Sequence, residues 1–102
     1  AHYQEALAID PDCDEAHFNL GNAYAAEKQP DKALEHYRAA IRLRPDKAIY
    51  RNMLGIYYGQ NGLYDEAIEQ FNAAIKLAPA ESAYRRNLDH ALALKNSAGR
   101  NK

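Results

Sequence analysis

The sequence predicts an all-α fold assembled from repeated pairs of helices, and three observations indicate it. Alanine occurs 20 times among the 102 residues, whereas valine and threonine are absent, and this composition favours helices over strands. Pro11, Pro45 and Pro79 recur at a spacing of 34 residues. Between the prolines, apolar residues such as Leu20 and Tyr24 follow helical spacing. A fixed period of this length is typical of stacked supersecondary units.

Two complete copies of the repeat can be aligned. Residues 14–47 match residues 48–81 without gaps and share 11 identities. Within each copy, the apolar spacing predicts two helices separated by a short connection. The predicted helices are residues 14–27 and 31–43 in the first copy, and residues 48–60 and 65–77 in the second.

The connections between paired helices differ in the two copies. Asn61-Gly62 supplies a residue that adopts the left-handed conformation easily, so it predicts a helix stop. The corresponding Lys28-Gln29-Pro30 contains no glycine, and we expect a strained residue there. Asp65 is expected to cap the next helix or to lie in its first turn, where a negative charge is favourable.

The repeated motif resembles that of the tetratricopeptide repeat family. Leu20-Gly21-x-x-Tyr24, Ala33-x-x-x-Tyr37 and Pro45 carry it in the first copy, and Leu54-Gly55-x-x-Tyr58, Ala67-x-x-x-Phe71 and Pro79 in the second. His17 and Arg51 stand where the family usually has tryptophan. The resemblance implies a right-handed α-solenoid of antiparallel helix pairs. On physical grounds, we expect Gly21 and Gly55 to let each first helix approach Ala33 and Ala67, with Tyr24, Tyr37, Tyr58 and Phe71 filling the spaces between pairs.

The flanking segments read as incomplete repeats. Residues 1–13 look like the second helix of a truncated preceding repeat. Residues 82–97 predict a C-terminal capping helix, because Asp89 replaces the glycine of the motif and Leu92 replaces its tyrosine. Residues 98–102 are expected to be a flexible tail.

Composition excludes several classes of function. A net charge of −1 gives no general attraction to nucleic acid or to an anionic membrane, so neither is an expected partner. The single Cys13 rules out an internal disulfide and is compatible with a reducing compartment, and we expect a cytoplasmic protein. No apolar run approaches the roughly 18 residues of a membrane span, and no signal peptide is visible. The chain begins with Ala1, which suggests an excised fragment or a processed product.

No catalytic, metal or cofactor site is predicted. Asp10, Asp12 and Asp14 alternate like the start of a calcium loop, but Glu15 and Gly21 stand where its glycine and its bidentate glutamate belong. Ser82 and Ser97 lie in no nucleophile motif. The histidines share no ligand spacing, and we expect His17 to be a packing residue and His36 a surface residue; the other two are His2 and His90.

The resemblance to the tetratricopeptide repeat family implies that the first helix of each pair lines a concave groove for a peptide or a helix. Asparagines on this strip are expected to hydrogen-bond a peptide backbone, and apolar residues to receive side chains. A clamp for chaperone tails is disfavoured, because only Asn22 matches its set, and we expect a more apolar or neutral ligand. The predicted groove residues are Phe18, Asn19, Asn22, Ile49, Asn52, Met53, Ile56, Arg86, Asn87 and His90, with Glu15, Ala26, Gln60 and Leu94 on the same strip.

The leading functional hypothesis is therefore a non-enzymatic scaffold that binds another protein. Self-assembly is an alternative, in which Tyr3 and Leu7 of the orphan half-repeat pair with another copy to form a homo-oligomer. A third possibility is a fragment of a larger enzyme, with these repeats presenting substrate to a catalytic domain.

Overall fold

Five α-helices make up the part of the chain that the structure describes. The computed structural model describes residues 13–100, with side chains as far as residue 98. The helices confirm the all-α class. They are α1 (Asp14–Ala26), α2 (Pro30–Leu43), α3 (Ala48–Gln60), α4 (Tyr64–Leu77) and α5 (Ser82–Arg100).

The chain divides into two compact units, Ala1–Asp46 and Lys47–Lys102. In the first unit α1 packs against α2. In the second unit α3 packs against α4, while α5 packs chiefly against α4 and makes a smaller contact with α3. The connections are short, which makes paired helices run antiparallel. The four helices predicted for the two repeats agree with α1 to α4 to within one residue at each end.

The helices α1 and α3 end in the same way, although only one has a glycine at the stop. Lys28 (φ 60°) and Gly62 (φ 77°) occupy equivalent positions after the two helices. In both copies the amide of the next residue donates to the carbonyl five residues earlier at 2.9 Å. This is the Schellman arrangement, which requires a left-handed residue. The prediction of a strained residue in Lys28-Gln29-Pro30 is thus confirmed.

Each helix pair is joined at a point where an aromatic ring lies on a glycine. A Cβ atom at Gly21 would lie 2.8 Å from Tyr37 Cδ1, and one at Gly55 would lie 2.6 Å from Phe71 Cε1. Both rings are 3% exposed. No side chain fits between ring and backbone at these distances, so glycine is required for the close approach of the helices.

The atoms nearest to Gly21 and Gly55 belong to rings and not to the alanines of the partner helix. Ala33 and Ala67 are fully buried, as expected, but the nearest neighbours of the two glycines are the rings. In the second unit a different glycine faces the alanine: a Cβ at Gly59 would lie 3.9 Å from Ala67 Cβ. Tyr37 and Phe71 each pack on the glycine of their own helix pair.

Helix α5 is longer than predicted and has an exposed outer side. It runs to Arg100, so residues 98–100, predicted as tail, are helical. Asp89 is exposed and Leu92 is 40% exposed, at the positions that in α3 hold buried Gly55 and Tyr58. An ion pair of 2.6 Å between Lys95 Nζ and Asp65 Oδ1 connects α5 to the first turn of α4.

Several predictions fall on residues 1–12 or 101–102 and lie outside the described residues. They are the truncated preceding repeat, except for Cys13, the self-association residues Tyr3 and Leu7, and the end of the predicted tail.

Candidate peptide-binding groove

The second unit contains a groove of about 370 Å³ between α3, α4 and α5. Three of its lining residues, Gly55, Gly59 and Ala91, are small. Glycine and alanine on facing helices leave the space that larger side chains would fill. The complete lining is Gly55, Ile56, Gly59 and Gln60 from α3, Phe71 from α4, and Asn87, His90, Ala91 and Leu94 from α5.

The bottom of the groove is apolar. We call Gly55, Ile56 and Phe71 the groove floor: Gly55 and Phe71 are buried, and Ile56 is half-buried. The positions equivalent to Ile56 and Phe71 in the first unit hold Asn22 and Tyr37, whose hydroxyl donates to Asn22 Oδ1 at 2.6 Å. The second repeat has neither the hydroxyl nor the amide, so its floor offers a ligand no hydrogen-bonding side chain.

Polar groups lie at the edge of the groove. Asn87 is half-buried, and its Nδ2 donates to Asn52 Oδ1 at 2.8 Å. This bond fixes the orientation of the Asn87 amide. The Asn87 oxygen is an acceptor and has no partner among the described residues. His90 and Gln60 are exposed on opposite walls. The groove thus combines an apolar floor with hydrogen-bonding groups at its edge, the combination that orients bound ligands.

Asn52 does not occupy the place predicted for it. It is 6% exposed and accepts the hydrogen bond from Asn87. A buried amide in this position orients Asn87 and offers almost no surface to a ligand. The prediction that Asn52 contacts a ligand directly is corrected accordingly.

The structure brings together three of the ten predicted groove residues. Ile56, Asn87 and His90 line the groove, as do Gln60 and Leu94 of the predicted strip. Met53 is half-buried, Ile49 is 39% exposed and Arg86 is exposed, and these three residues lie outside the lining.

The other three predicted groove residues belong to the first unit, where the contacts are internal. The Phe18 ring lies against the Tyr37 ring, with centroids 6.2 Å apart and planes inclined by 52°. Asn22 accepts from Tyr37, as described above. Asn19 is half-buried on the same helix.

Sequence reasoning missed four lining residues, Gly55, Gly59, Phe71 and Ala91. Gly55 and Phe71 were expected to serve packing alone. A signal was present, because Phe71 and Ile56 both lack the polar groups of their counterparts in the first repeat. The sequence alone does not show that Ile56 and Phe71 line the same groove, so their shared lack of polar groups could not be interpreted.

A histidine pair connects the helices of the first unit. His17 Nδ1 and His36 Nδ1 are 3.0 Å apart, and the ring planes are inclined by 26° with centroids 5.3 Å apart. The centroid separation exceeds the nitrogen separation by about one ring width, so the rings meet through their nitrogen-bearing edges. One nitrogen must donate and the other accept. This corrects the prediction of a surface role for His36, which is half-buried.

The surroundings of His36 favour its neutral form. Burial lowers the pKa of His36, and the charge of His17 lowers it further, while Glu35 acts in the opposite direction. Tyr24 also stacks on the His36 ring, with centroids 5.5 Å apart. Lys32 Nζ lies 5.4 Å from the centre of the Tyr24 ring.

The described residues form neither a metal-binding cluster nor a membrane-spanning helix. No three His, Cys, Asp or Glu side chains within residues 13–98 gather as a metal-binding group would require. None of the helices α1 to α5 has the length and apolar character needed to cross a membrane.

Comparison with known proteins identifies the repeats. A family model described as tetratricopeptide repeat matches residues 14–47, and a second with the same description matches residues 48–81. No curated protein sequence matches the chain. The chain is similar to a solved structure described as "Crystal structure of MamA protein", with 24% identity and a TM-score of 0.84 over 92% of this chain and 51% of that one.

This chain therefore spans about half of the MamA chain, and the likeness concerns the fold. The two family matches together cover two thirds of the sequence. Repeats of this kind serve generally as scaffolds for protein–protein interaction and are typically non-catalytic. The chain belongs to the tetratricopeptide repeat family.

Proposed function

We propose that the chain is a non-enzymatic interaction module and that the groove of its second unit binds a peptide or helical segment of another protein. The observation that carries the proposal is the combination of an apolar floor with hydrogen-bonding groups at the edge, of which Asn87 is fixed by its bond to Asn52. Ile56 and Phe71 supply the floor, and Asn87, His90 and Gln60 supply the edge. All the proposed contacts lie within the second unit.

The expected energetics are those of a modest binding site. One apolar side chain of a partner, fully buried in the groove, contributes about 1.5–3 kcal/mol. The Asn87 oxygen is held by the bond from Nδ2 to Asn52, so it accepts a backbone amide of the ligand without losing much side-chain freedom. Several such contacts are needed to offset the cost of association.

The proposal is tested with a displayed library of random peptides selected on the complete chain. The tightest peptide is labelled, and its affinity is measured by fluorescence anisotropy. Leu94→Asp is expected to weaken binding at least tenfold, about 1.4 kcal/mol, because a bound apolar side chain would desolvate the new carboxylate. Circular dichroism verifies that the variant remains helical.

Leu92→Asp is the matched control. Leu92 lies on the same helix and is 40% exposed, but it does not line the groove. The affinity of this variant should equal that of the unmodified chain. Equal losses in both variants, or no loss at Leu94, would place binding elsewhere, and a selection that yields no binding peptide would contradict the proposal.

A further inference from the structure

Among the differences between the two repeats, one pair of positions determines the chemistry of the groove floor. In the first unit Tyr37 and Asn22 hydrogen-bond to each other at 2.6 Å. In the second unit the same two positions hold Phe71 and Ile56, which line the groove. A polar ligand group in contact with this floor would lose its water and gain no partner, at a cost of roughly 1–3 kcal/mol.

A basic side chain lies near one end of the groove, and the exposed Asp89 is the acidic residue nearest to it along α5. Arg86 is exposed one helical turn before His90, on the same side of α5, and has no ion-pair partner among the described residues. No acidic residue lines the groove. The adjacent Arg85 is also exposed, but it is displaced by about 100° around the helix. A carboxylate on a bound segment is therefore attracted to one end of the groove.

We infer that the partner segment inserts a large aliphatic or aromatic side chain onto the floor formed by Gly55, Ile56 and Phe71, and places a carboxylate near Arg86. The inference rests on the proposed function and names the chemistry of its ligand. The groove volume of about 370 Å³ is at the small end of ligand pockets, which suits one or two side chains of a peptide.

The first repeat is the template for the variant that tests this inference. Ile56→Asn combined with Phe71→Tyr rebuilds in the second unit the pair that Asn22 and Tyr37 form in the first. The new hydroxyl and amide can satisfy each other, so the variant is expected to fold while its floor becomes polar. The affinity for the peptide selected above should fall at least tenfold.

Two further variants serve as a fallback and as a control for this test. Ile56→Asn alone keeps the Phe71 ring in place and is expected to weaken binding in the same direction, so it decides the question if the double variant fails to fold. Asn72→Ala is the control, because Asn72 is exposed on α4 next to Phe71 and does not line the groove. It should bind as the unmodified chain does.

The carboxylate is tested by exchanging charges on both partners. Arg86→Gln should weaken binding about threefold and reduce its salt dependence, whereas Arg85→Gln should change neither appreciably. Replacing the acidic residue of the peptide by its amide should have the same effect as Arg86→Gln, and the two changes together should cost little more than either alone.

The selection also separates this inference from the proposed function. Enriched peptides are expected to combine a large apolar residue with Asp or Glu. Peptides that bind through Leu94 but lack this pattern, or that bind the double variant unchanged, would overturn the inference and leave the proposed function in place. Concentration-dependent self-association lost in the double variant would make a second copy the occupant and would overturn the inference as well.

Discussion

At the scale of single residues, close contact between glycine and an aromatic ring determines where the helices of a pair meet. Gly55→Ala would place a methyl group 2.6 Å from the Phe71 ring, and the ring is buried with little room to move. We expect the free energy of unfolding to fall by about 1–3 kcal/mol, the usual cost of overpacking.

Gly59→Ala is the control for this prediction. Gly59 lies on the same helix as Gly55, and its new methyl would meet Ala67 Cβ at 3.9 Å, which is an ordinary contact. Alanine is the better helix former, so this variant should gain about 0.5–1 kcal/mol. Urea denaturation followed by circular dichroism measures both variants. A loss of stability at Gly59 equal to that at Gly55 would show that the ring contact is not the cause.

The histidine pair predicts a pH dependence of stability. Burial and His17 lower the pKa of His36 below its ordinary value of 6.5. The unfolded chain therefore binds a proton at His36 at pH values where the folded chain does not. This contribution to stability is complete above about pH 6.5 and declines as the pH falls toward the lowered pKa of the folded state.

His36→Gln, which copies the residue at the equivalent position of the second repeat, isolates that contribution. Urea denaturation of both proteins between about pH 5 and pH 8 covers the titration of histidine. We expect the stability of the unmodified chain to decrease more steeply toward acid than that of the variant. Parallel pH profiles would mean that His36 titrates alike in the folded and unfolded states.

At the scale of secondary-structure elements, the residues at the two helix stops can be exchanged for each other. Lys28 and Gly62 hold equivalent left-handed positions, at φ 60° and φ 77°. A residue with a Cβ atom pays about 1–2 kcal/mol in this conformation. Lys28→Gly should therefore stabilise the chain by about 1 kcal/mol, and Gly62→Lys should destabilise it by a similar amount.

Thermal or urea denaturation of the two variants checks this prediction. Lys28 is exposed, so few contacts are lost with its side chain. If Lys28→Gly were neutral or destabilising, the left-handed geometry would not be the dominant energetic feature of that stop.

The elements themselves were predictable because their signals are local. Helical spacing, Gly62 and the prolines gave the four paired helices to within one residue. The end of α5 was not predictable in this way. Gly99 is the only helix-stop signal in residues 98–100, and the helix continues through it to Arg100. We interpret α5 as a cap because exposed Asp89 and Leu92 replace the buried pair of α3.

The groove was less predictable because it depends on contacts between elements. The strip of first-helix residues included Ile56, Asn87 and His90, which line the groove. It could not show that Asn52 is buried and bonded to Asn87, because that hydrogen bond joins two different helices. Nor could it include Phe71, which lies on the second helix and reaches the groove only because Gly55 has no side chain.

At the scale of the whole molecule, self-association stays a prediction. It concerns Tyr3 and Leu7 in residues 1–12, outside the described residues. If the apolar residues of this segment pair with a second copy, Leu7→Glu should lower the molar mass measured by sedimentation across a concentration series. A mass unaffected by the substitution, or a monomer throughout, would contradict that role.

The central claim is that the groove of the second unit is the binding surface, and nuclear magnetic resonance tests it most directly. Amide spectra of the isotope-labelled chain are recorded while the selected peptide is added. We expect the largest shift changes in residues 55–60 and 87–94, which contain the groove walls. Changes concentrated in residues 14–43 of the first unit would contradict it.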